Sequence, residues 1–558
     1  MIMPMADCLS NLNSRFFNCF GGVTELTGSI CWGAGVEAQC RDFGDAYSHA
    51  PSDLAYSRNI VIWGRNVART NMHLYENLRK AKADGARLLV IDPIFNSTAK
   101  MADEYISVKP GYDGLLAAGI LKELLRLGLE DREFIENHMK GSTDLFELIN
   151  SISLERISEM AEVPMESITM LAKVYGQPPV STMLGLGMQR YRNGGSTISL
   201  ISALAAVSGN VGIQGGGANY ANRQVGQSFD YEPLTMPHRN TGGRSFTMMK
   251  QAEGILTAKD PEIKMAFVTC GNPLTQLPDT NKAAKAFSSI KTLVVVDQFM
   301  TDTAELADYV LPAAAPFEME DIYYSSMYHH YVNHGPKLAD PPGEAKPDAW
   351  IWTELAARLG MRDDFSFSRE EMLKLGMSSM EKHGINLDQL RLEKYAELPV
   401  DVVPWHDRKF KTRSGKYEFS YSGKSISLLL PNETIWSNPV LAEKYPYSLL
   451  SIHPLRSNHS QHYHLFSPEP SVKVEVSADV AAEKGISEGD RVRVWNGRGE
   501  LEGKASIMKK AHRGTINVDE GLSRRFGGPV NVLTPDLESD NGMGSTLYDC
   551  LVNIEKIG

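Results

Sequence analysis

The sequence predicts an α/β protein with two related α/β domains, each built on a parallel sheet, and a C-terminal β-barrel. Three observations predict it. Short apolar runs alternate with helical stretches at the spacing of βαβ units. A fourteen-residue segment of the first half recurs in the second half. Beyond residue 447 the chain changes to short strands punctuated by tight turns.

The elements follow in order. "RFFNCFGG" reads as a helix end, with Gly21 and Gly22 as its stop. The turn-rich "TGSICWGAG" comes next, and the chain reads as starting inside a domain, residues 1–26 being the remnant of a preceding one. A short unusual N-terminus is the alternative. "NIVIWGRN" (59–66) is a buried strand running into a glycine loop, followed by a helix through "MHLYENLRKAKADG". "ARLLVIDP" (86–93) and "EYISVKPG" (104–111) are further strands. Helices dominate 113–177, "PVSTMLGLGMQ" (179–189) returns to strand and loop, and "STISLISALAAVSGN" (196–210) is a buried helix rich in small residues. A second α/β block opens with the strands "KMAFVTCGNP" (264–273) and "IKTLVVVDQF" (290–299), with helices expected to about 380. Residues 380–440 read as connection. Six strands then suggest a barrel: "YSLLSIH", "SVKVEVS", "DRVRVWN", "GELEGKASI", "GTINVDE" and "LVNIEKI".

Length and composition narrow the function. At 558 residues, 42% hydrophobic and 22% charged, the chain can bury large cores in about three or four domains. A net charge of -11 disfavours nucleic acid as a partner but leaves room for a local basic pocket around a phosphorylated ligand. No apolar run approaches the roughly 18 residues of a membrane span, and the opening "MIMPMADCLSN" is no signal peptide. Six cysteines, at 8, 19, 31, 40, 270 and 550, form no C-x2-C pair. That argues against a disulfide scaffold and against an iron–sulfur or zinc site made from sequence-local cysteines.

The repeat is the most informative feature. "VIDPIFNSTAKMAD" (90–103) and "VVDQFMTDTAELAD" (295–308) share six of fourteen residues. Upstream of each lies a strand ending in a glycine loop, Gly64-Arg65-Asn66 or Gly271-Asn272-Pro273, at similar distance from Asp92 and Asp297. Glycine lets backbone approach a phosphate, and an acidic residue after the next strand can accept bonds from a ribose or a base. Neither loop is G-x-G-x-x-G, which disfavours a standard NAD site. Turn glycines and helix-capping aspartates in two duplicated layers are the plainer alternative. Two more glycine segments, "GLGMQRYRNGG" (185–195) and "GNVGIQGGGANYANRQ" (209–224), add to the case for a large polar ligand held by backbone.

With these segments assembled, the sequence resembles the molybdopterin oxidoreductases of the dimethyl-sulfoxide-reductase type. The resemblance is carried by "TCGNPLTQLPDT", "VVVDQFMTDTAELADYVLPA", "EMED", "GEAKPDAWIWTELAARLG", "GLGMQRYRNGGSTISLISALAAVSGNVGIQGGG", "ISEGDRVRVWNGRGE" and "NVLTPD…GMGSTLYDCLVNI", and spans essentially the whole chain. It implies two doubly wound α/β dinucleotide-binding domains (27–225 and 226–370), a connecting region (371–440) and a double-psi barrel (441–558) that binds molybdopterin dinucleotide. The implied cofactor is bis-molybdopterin guanine dinucleotide with molybdenum or tungsten. The family's N-terminal iron–sulfur domain has no counterpart, so no iron–sulfur cluster is expected within this chain. Either a separate subunit supplies that part or the chain is the product of a truncated gene. The implied partners are a small-molecule substrate and an iron–sulfur electron-transfer subunit, with no direct membrane span. The default compartment is the cytoplasm; an export signal in a preceding segment would make it the periplasm.

The resemblance also assigns residues. Cys31 is the expected metal ligand, a soft donor, with a small buried hydrophobe as the alternative. Trp32 stands where formate dehydrogenases of the family carry His, so formate oxidation is not expected. Arg223 is a candidate for anion binding near the metal. For the cofactor, Gly64, Asn66 and His73 belong to the first loop and its helix. Asp92, Thr98, Gly111 and Asp113 would face the first guanosine, and Gly187 and Gln189 lie in the third loop. Gly271, Asn272, Asp297 and Thr303 would hold the second nucleotide. Arg456 and His459 are expected near pterin or diphosphate, with Asn531 and Tyr548 as further contacts.

Other signals carry less. The histidine-dense stretches 328–334 and 453–464 lack H-E-x-x-H and read as pocket wall or surface. "EPLTMPHRNTGGRS" (232–245) reads as a funnel loop or plain connection, and "EMED" (318–321) as a solvated helix end. Besides oxygen-atom, sulfur or hydride-equivalent transfer, non-redox hydration at the same cofactor and an inactive partner-binding fragment stay open. A thiamine-diphosphate enzyme ranks below these because its G-D-G…N-N motif is missing.

Overall fold

The computed structural model of the chain describes residues 7–325, 329–419, 430–466 and 468–558. They form two compact, discontinuous units. The larger holds residues 28–221, 275–283 and 402–558; the smaller holds 7–27, 222–274 and 284–401.

The larger unit is built on five parallel strands in the order Glu104–Ile106, Arg87–Ile91, Asn59–Trp63, Val180–Leu184, Ala218–Asn219. The chain steps outward from Asn59–Trp63 on one side and returns beside it on the other. The carboxyl ends of Asn59–Trp63 and Val180–Leu184 therefore mark the topological switch point, where open α/β sheets bind ligands. Both strands are buried throughout, which is why they read as unbroken apolar runs rather than alternating ones. The strand period still sorts the side chains: Val61, Trp63, Leu89 and Ile91 join one core and Ile60, Ile62, Leu88 and Val90 the other. The first core packs against helices Asp113–Arg126 and Gly194–Val207, the second against Met72–Ala83. Gly194–Val207 is buried on every side. Its serines and alanines allow close packing against Gly33–Phe43 and Asp113–Arg126, the residue economy a fully enclosed helix needs.

Glycine is obligatory at the switch point. Gly64 has φ +60°, and its N–H donates to the Ile91 carbonyl at 2.8 Å. The Gly185 N–H donates to the Trp63 carbonyl at 2.8 Å, and a Cβ on Gly185 would lie 1.7 Å from the Gly64 oxygen. The Trp63 indole, wholly buried, donates Nε1–H to Asp113 Oδ1 at 2.8 Å. Burial raises the Asp113 carboxyl to about 6.

The six strands read from the sequence close into a barrel in the same unit: Tyr447–Leu450, Thr515–Val518, Lys473–Ser477, Glu500–Met508, Arg491–Trp495 and Leu551–Lys556. Their inward residues, including Leu449, Val474, Val476, Val492, Val494, Ile516, Val552 and Ile554, form its core. The barrel is tied to the parallel sheet by its C-terminal segment. The Asp540 carboxylate accepts from the backbone N–H groups of Gly195 and Ser196 at 2.8 and 2.9 Å, at the start of the buried helix. The Tyr548 N–H donates to the Arg190 carbonyl, and the Arg192 N–H to Asp549 Oδ2.

The smaller unit has three parallel strands, Met265–Thr269, Thr292–Asp297 and Tyr309–Pro312, with Thr292–Asp297 in the centre. Helix Leu12–Phe20 ends at Gly21 (φ +72°) as expected, and Phe16 packs 5.2 Å from Trp352 of helix Asp348–Arg358. One expectation is corrected. Residues 300–380 are not simply helical: an antiparallel sheet of Asp321–Tyr324, Tyr331–Gly335 and Tyr395–Glu397 lies among the helices. Tyr, Ile and Val favour those strands, but the third partner comes from the segment read as connection, a pairing no local pattern reveals.

Gly185→Ala should cost about 2 kcal/mol or more in a urea titration of the apo-chain, because no rotamer relieves a backbone clash. A carboxyl raised from 3.8 to about 6 on folding loses stability as pH rises between those values, since the unfolded chain ionises first. Asp113→Asn should remove this group's share of the loss, roughly 3 kcal/mol at pH 7, leaving a shallower fall in melting curves taken from pH 4 to 7.

Candidate functional site

Both copies of the repeat build the same local structure. In the larger unit, Thr98 is fully buried. Its Oγ1 donates to Asn66 Oδ1 at 3.0 Å and accepts from the Ala68 N–H at 3.0 Å. In the smaller unit, buried Thr303 donates to Asn272 Oδ1 at 2.7 Å and accepts from the Leu274 N–H at 3.1 Å. The closing aspartates match as well: Asp103 Oδ2 accepts from the Leu88 N–H and Asp308 Oδ2 from the Leu293 N–H, at 2.8 and 2.7 Å. Asp92 and Asp297 each accept from the N–H two residues on, Ile94 at 2.8 Å and Phe299 at 3.2 Å. Burial, with Asp113 nearby as a second cause, lifts Asp92 to about 7; burial also raises Asp297. Asp92 further accepts from Asn96 Nδ2.

Cys31 lies just before helix Gly33–Phe43, and its loop is pinned from two sides. Fully buried Gln189 donates Nε2–H to the Cys31 carbonyl at 2.7 Å and accepts from the Gly35 N–H at 3.2 Å. The Tyr220 hydroxyl donates to the Trp32 carbonyl at 3.3 Å. Burial raises the Cys31 thiol; the nearby Arg190 cation opposes that and the Glu520 carboxylate adds to it. Arg190 donates NH1–H to Glu520 Oε2 at 3.1 Å and lies 5.4 Å over the Tyr548 ring. Its Nε is buried without a hydrogen-bond partner. Glu520 Oε1 contacts His459 Nδ1 at 2.7 Å, and the His459 ring lies 4.9 Å from that of His453. Arg190 and His459 hold Glu520 well below the usual carboxylate range despite its burial. His453, His459 and Glu520 have ligand-type atoms within 4.8 Å of one another, but both Glu520 oxygens are engaged, so the group is an ion-paired network. Tyr548 donates its hydroxyl to the Ser451 carbonyl, and its ring would lie 3.3 Å from a Cβ on Gly187.

The expected site residues divide. Cys31, Gln189, Gly187, Tyr548 and His459 meet around Arg190. Gly64, Asn66, Asp92, Thr98 and Asp113 meet at the switch point. Gly111 (φ +85°) lies against Pro431 and Tyr191 and accepts from Asn193 Nδ2 at 3.0 Å. His73 is exposed on its helix, and Arg456 is exposed with its guanidinium 5.0 Å over Phe466. Asn531 donates its amide hydrogens to the Thr275 and Gln276 carbonyls at 3.2 and 3.0 Å, anchoring the chain just beyond the second glycine loop. Gly271, Asn272, Asp297 and Thr303 belong to the smaller unit. Arg223 lies near the start of that unit's second segment, half-buried, its carbonyl accepting from the Gln227 N–H.

Arg190 and Glu520 were missed from the sequence. Arg190 adjoins Gln189 in "GMQRYR", a usable signal, whereas Glu520 in "VDEG" has none. "EMED" departs from the solvated helix end expected. Glu320 pairs with Arg391 and His334, which hold it at about 2, and Asp321 pairs with Arg369. Of the two histidine stretches, His330 contacts Asn222 at 2.9 Å and Tyr328 lies outside the described residues.

Removing one partner of the buried Arg190–Glu520 pair should be far worse than removing both. Arg190→Gln is expected to cost about 3–5 kcal/mol by stranding a carboxylate, and Arg190→Gln/Glu520→Gln to recover most of that in a double-mutant cycle of urea melts.

Comparison with known proteins accords with this geometry. Residues 1–358 match the Molybdopterin oxidoreductase family model and residues 447–550 the Molydopterin dinucleotide binding domain. A probable oxidoreductase of Bacillus subtilis, YyaE, is 55% identical over 98% of this chain and 83% of its own length. F420-dependent formate dehydrogenase 2 subunit alpha of Methanococcus maripaludis is 26% identical over 92% of this chain and 78% of its own. The solved acetylene hydratase from Pelobacter acetylenicus superposes with a TM-score of 0.79 over 99% of this chain and 85% of that one, at 21% identity, a likeness of fold. With its α/β segments, its closed barrel and these matches, the chain belongs to the molybdopterin oxidoreductase family.

Proposed function

We propose that the chain is the catalytic subunit of a molybdenum- or tungsten-dependent oxidoreductase. In this reading two pterin guanine dinucleotides hold the metal, Cys31 gives the protein ligand, and a small substrate is turned over by oxygen-atom, sulfur or hydride-equivalent transfer. The observation that carries it is the seat of Cys31: a thiol on a loop clamped by Gln189, beside a buried guanidinium whose Nε–H has no protein partner.

The residues fit the cofactor. At the switch point two glycine loops lie in backbone contact, Gly185 against the Gly64 carbonyl, and loops that carry no side chain there let backbone N–H groups approach a diphosphate. Arg65 and Arg190 are buried cations in the same unit, suited to anionic groups. A thiolate is an appropriate soft donor to such a metal. When bound, the group supplies a two-electron redox centre with Lewis acidity.

The chain's own residues bind, orient and handle protons. Gln189 fixes the Cys31 loop, so the thiol is presented from a set position. Arg190 lowers the cost of a thiolate there and can attract an anionic or strongly polar substrate. Glu520 holds Arg190 and His459 in place. Trp32 occupies the position next to the ligand. Asn66 and Asn272 with their glycines would serve the two nucleotides, with Asp92, Asp113 and Asp297 as acceptors. Arg456, Asn531 and His73 are candidates of lower rank, and Arg223 is a candidate anion site. An iron–sulfur subunit would supply electrons, in keeping with a relative named as a subunit. Among the described residues no helix is long and apolar enough to cross a membrane.

Chain purified from an anaerobic host should contain about one molybdenum or tungsten and two pterins. Cys31→Ala should keep the pterins but lose one sulfur from the metal's X-ray absorption shell. Wild type with neither metal nor pterin, from a host that loads a relative, would overturn the reading, as would an unchanged shell in Cys31→Ala. Turnover of sulfoxides or N-oxides with reduced viologen would support redox chemistry; hydration without any dye oxidation would replace it.

A further inference from the structure

Helix Gly33–Phe43 packs against the buried helix Gly194–Val207, and the seam between them holds polar atoms that the catalytic reading does not use. Asp42 is completely buried there, and neither of its carboxylate oxygens accepts a hydrogen bond from a described residue. The hydroxyls of Ser199, on the facing helix, and of Tyr417 stand beside it and act on its charge. The cation that acts on it, Arg41, is exposed and already lies 3.3 Å from Glu37. Ser199 and Ser202 are fully buried one turn apart, and neither hydroxyl has a partner. A helical serine ordinarily bonds a carbonyl three or four residues back. Ser196 and Ser208 do so in the same stretch, to Asn193 and Leu204 at 3.1 and 2.6 Å. Ser199 and Ser202 do not. Gln39, one turn before Asp42, gives its Nε2–H to the Ala218 carbonyl at 2.9 Å, which leaves Oε1 buried and without a donor. Positions three apart share a helix face, so Gln39 lies on the Asp42 side of the seam and Ser202 on the Ser199 side.

A carboxylate taken out of water without a countercharge is costly, and a cation or a proton beside it lowers that cost. The atoms left without partners on these four residues are all oxygens, the donor set of a hard cation rather than of a transition metal. One carboxylate balances one positive charge; a divalent ion would leave a net charge in the core. A proton is the rival occupant, because burial raises the Asp42 carboxyl far above its usual range, against the opposing effects of Ser199, Arg41 and Tyr417. A neutral carboxyl, however, would give its proton to a hydroxyl beside it, and neither Asp42 oxygen makes such a bond. We propose that Asp42 and Ser199, with Gln39 and Ser202 on the adjoining turns, form a buried site for one monovalent metal cation, sodium or potassium, held by oxygen alone. The cation fastens the helix that follows Cys31 to the helix that follows Gln189. The site stands apart from the cofactor reading and does not depend on it.

The test is a urea titration of the full chain at pH 8, where the competing proton is scarce, in sodium, potassium or choline chloride at equal ionic strength. Wild type, Asp42→Asn and Ser199→Ala are compared, and choline, too large for the seam, is the blank. The ion that fits should raise the wild-type folding constant about tenfold at about ten times its dissociation constant, with a limiting slope of one ion per chain. Asp42→Asn should abolish the difference between the salts. Ser199→Ala, a smaller lesion, should weaken it, and decides the matter if Asp42→Asn does not fold. Equal wild-type midpoints in the three salts would mean that a proton or water satisfies Asp42, and would overturn the proposal. A salt difference that persists undiminished in Asp42→Asn, or in Ser199→Ala where that is the variant read, places the ion elsewhere and overturns it as well.

Discussion

Everything in the larger unit is arranged around one steric constraint, the approach of the Gly185 backbone to the Gly64 carbonyl at the carboxyl ends of two adjacent parallel strands. Parallel strands are evenly spaced, and the loops leaving them normally diverge. Here they stay in contact, which only residues without Cβ permit. The result is close backbone contact between the two loops at the place where the strand order reverses. The central strands beneath this contact are buried on both faces. The asparagine that follows Gly64, the aspartate that ends the neighbouring strand, and the Gly187–Gln189 turn are all carried on that floor.

The barrel completes what the sheet begins. Its C-terminal segment returns across the loop that follows Gly187, with Tyr548 bonded to the Arg190 backbone and Asp540 capping the buried helix. This closure brings Glu520 to Arg190 although 330 positions separate them. Taking a guanidinium and a carboxylate out of water is expensive, and their pairing, with His459 on the second oxygen, offsets much of that cost without satisfying Arg190 Nε. Such a network is poor value as a stabilising device compared with an apolar core. In the proposed reading it is an electrostatic setting for the Cys31 thiol, which Arg190 favours ionising and Glu520 opposes.

The duplicated unit shows how little sequence is needed to keep a geometry. Val, Asp, Thr, Ala, Ala and Asp persist at matching positions, and several carry a bond. The first Asp closes the turn after the strand, the Thr holds the loop asparagine, and the last Asp accepts from the backbone at the start of the same strand. The two alanines lie in the short helical turns Ala99–Met101 and Ala304–Leu306 and the residue after each. The positions between them are free to vary.

The sequence by itself determined the fold class, the six barrel strands, the buried helix after residue 194 and the pairing of two glycine loops with two aspartates. These features are local: they rest on periodicity, glycine placement and a repeat, all of which act over a few residues. It also pointed to Cys31 and Gln189, because the motifs around them are contiguous. Only the tertiary structure decided that Gln189 bonds the Cys31 loop, that Glu520 meets Arg190, that Asn531 anchors residues 275–276, and that "EMED" is tied into ion pairs with Arg369 and Arg391. The antiparallel sheet that recruits Tyr395–Glu397 belongs with these. Each is a contact between residues far apart in the chain, made when the closing of a sheet or barrel brings them together, and no short-range preference encodes it.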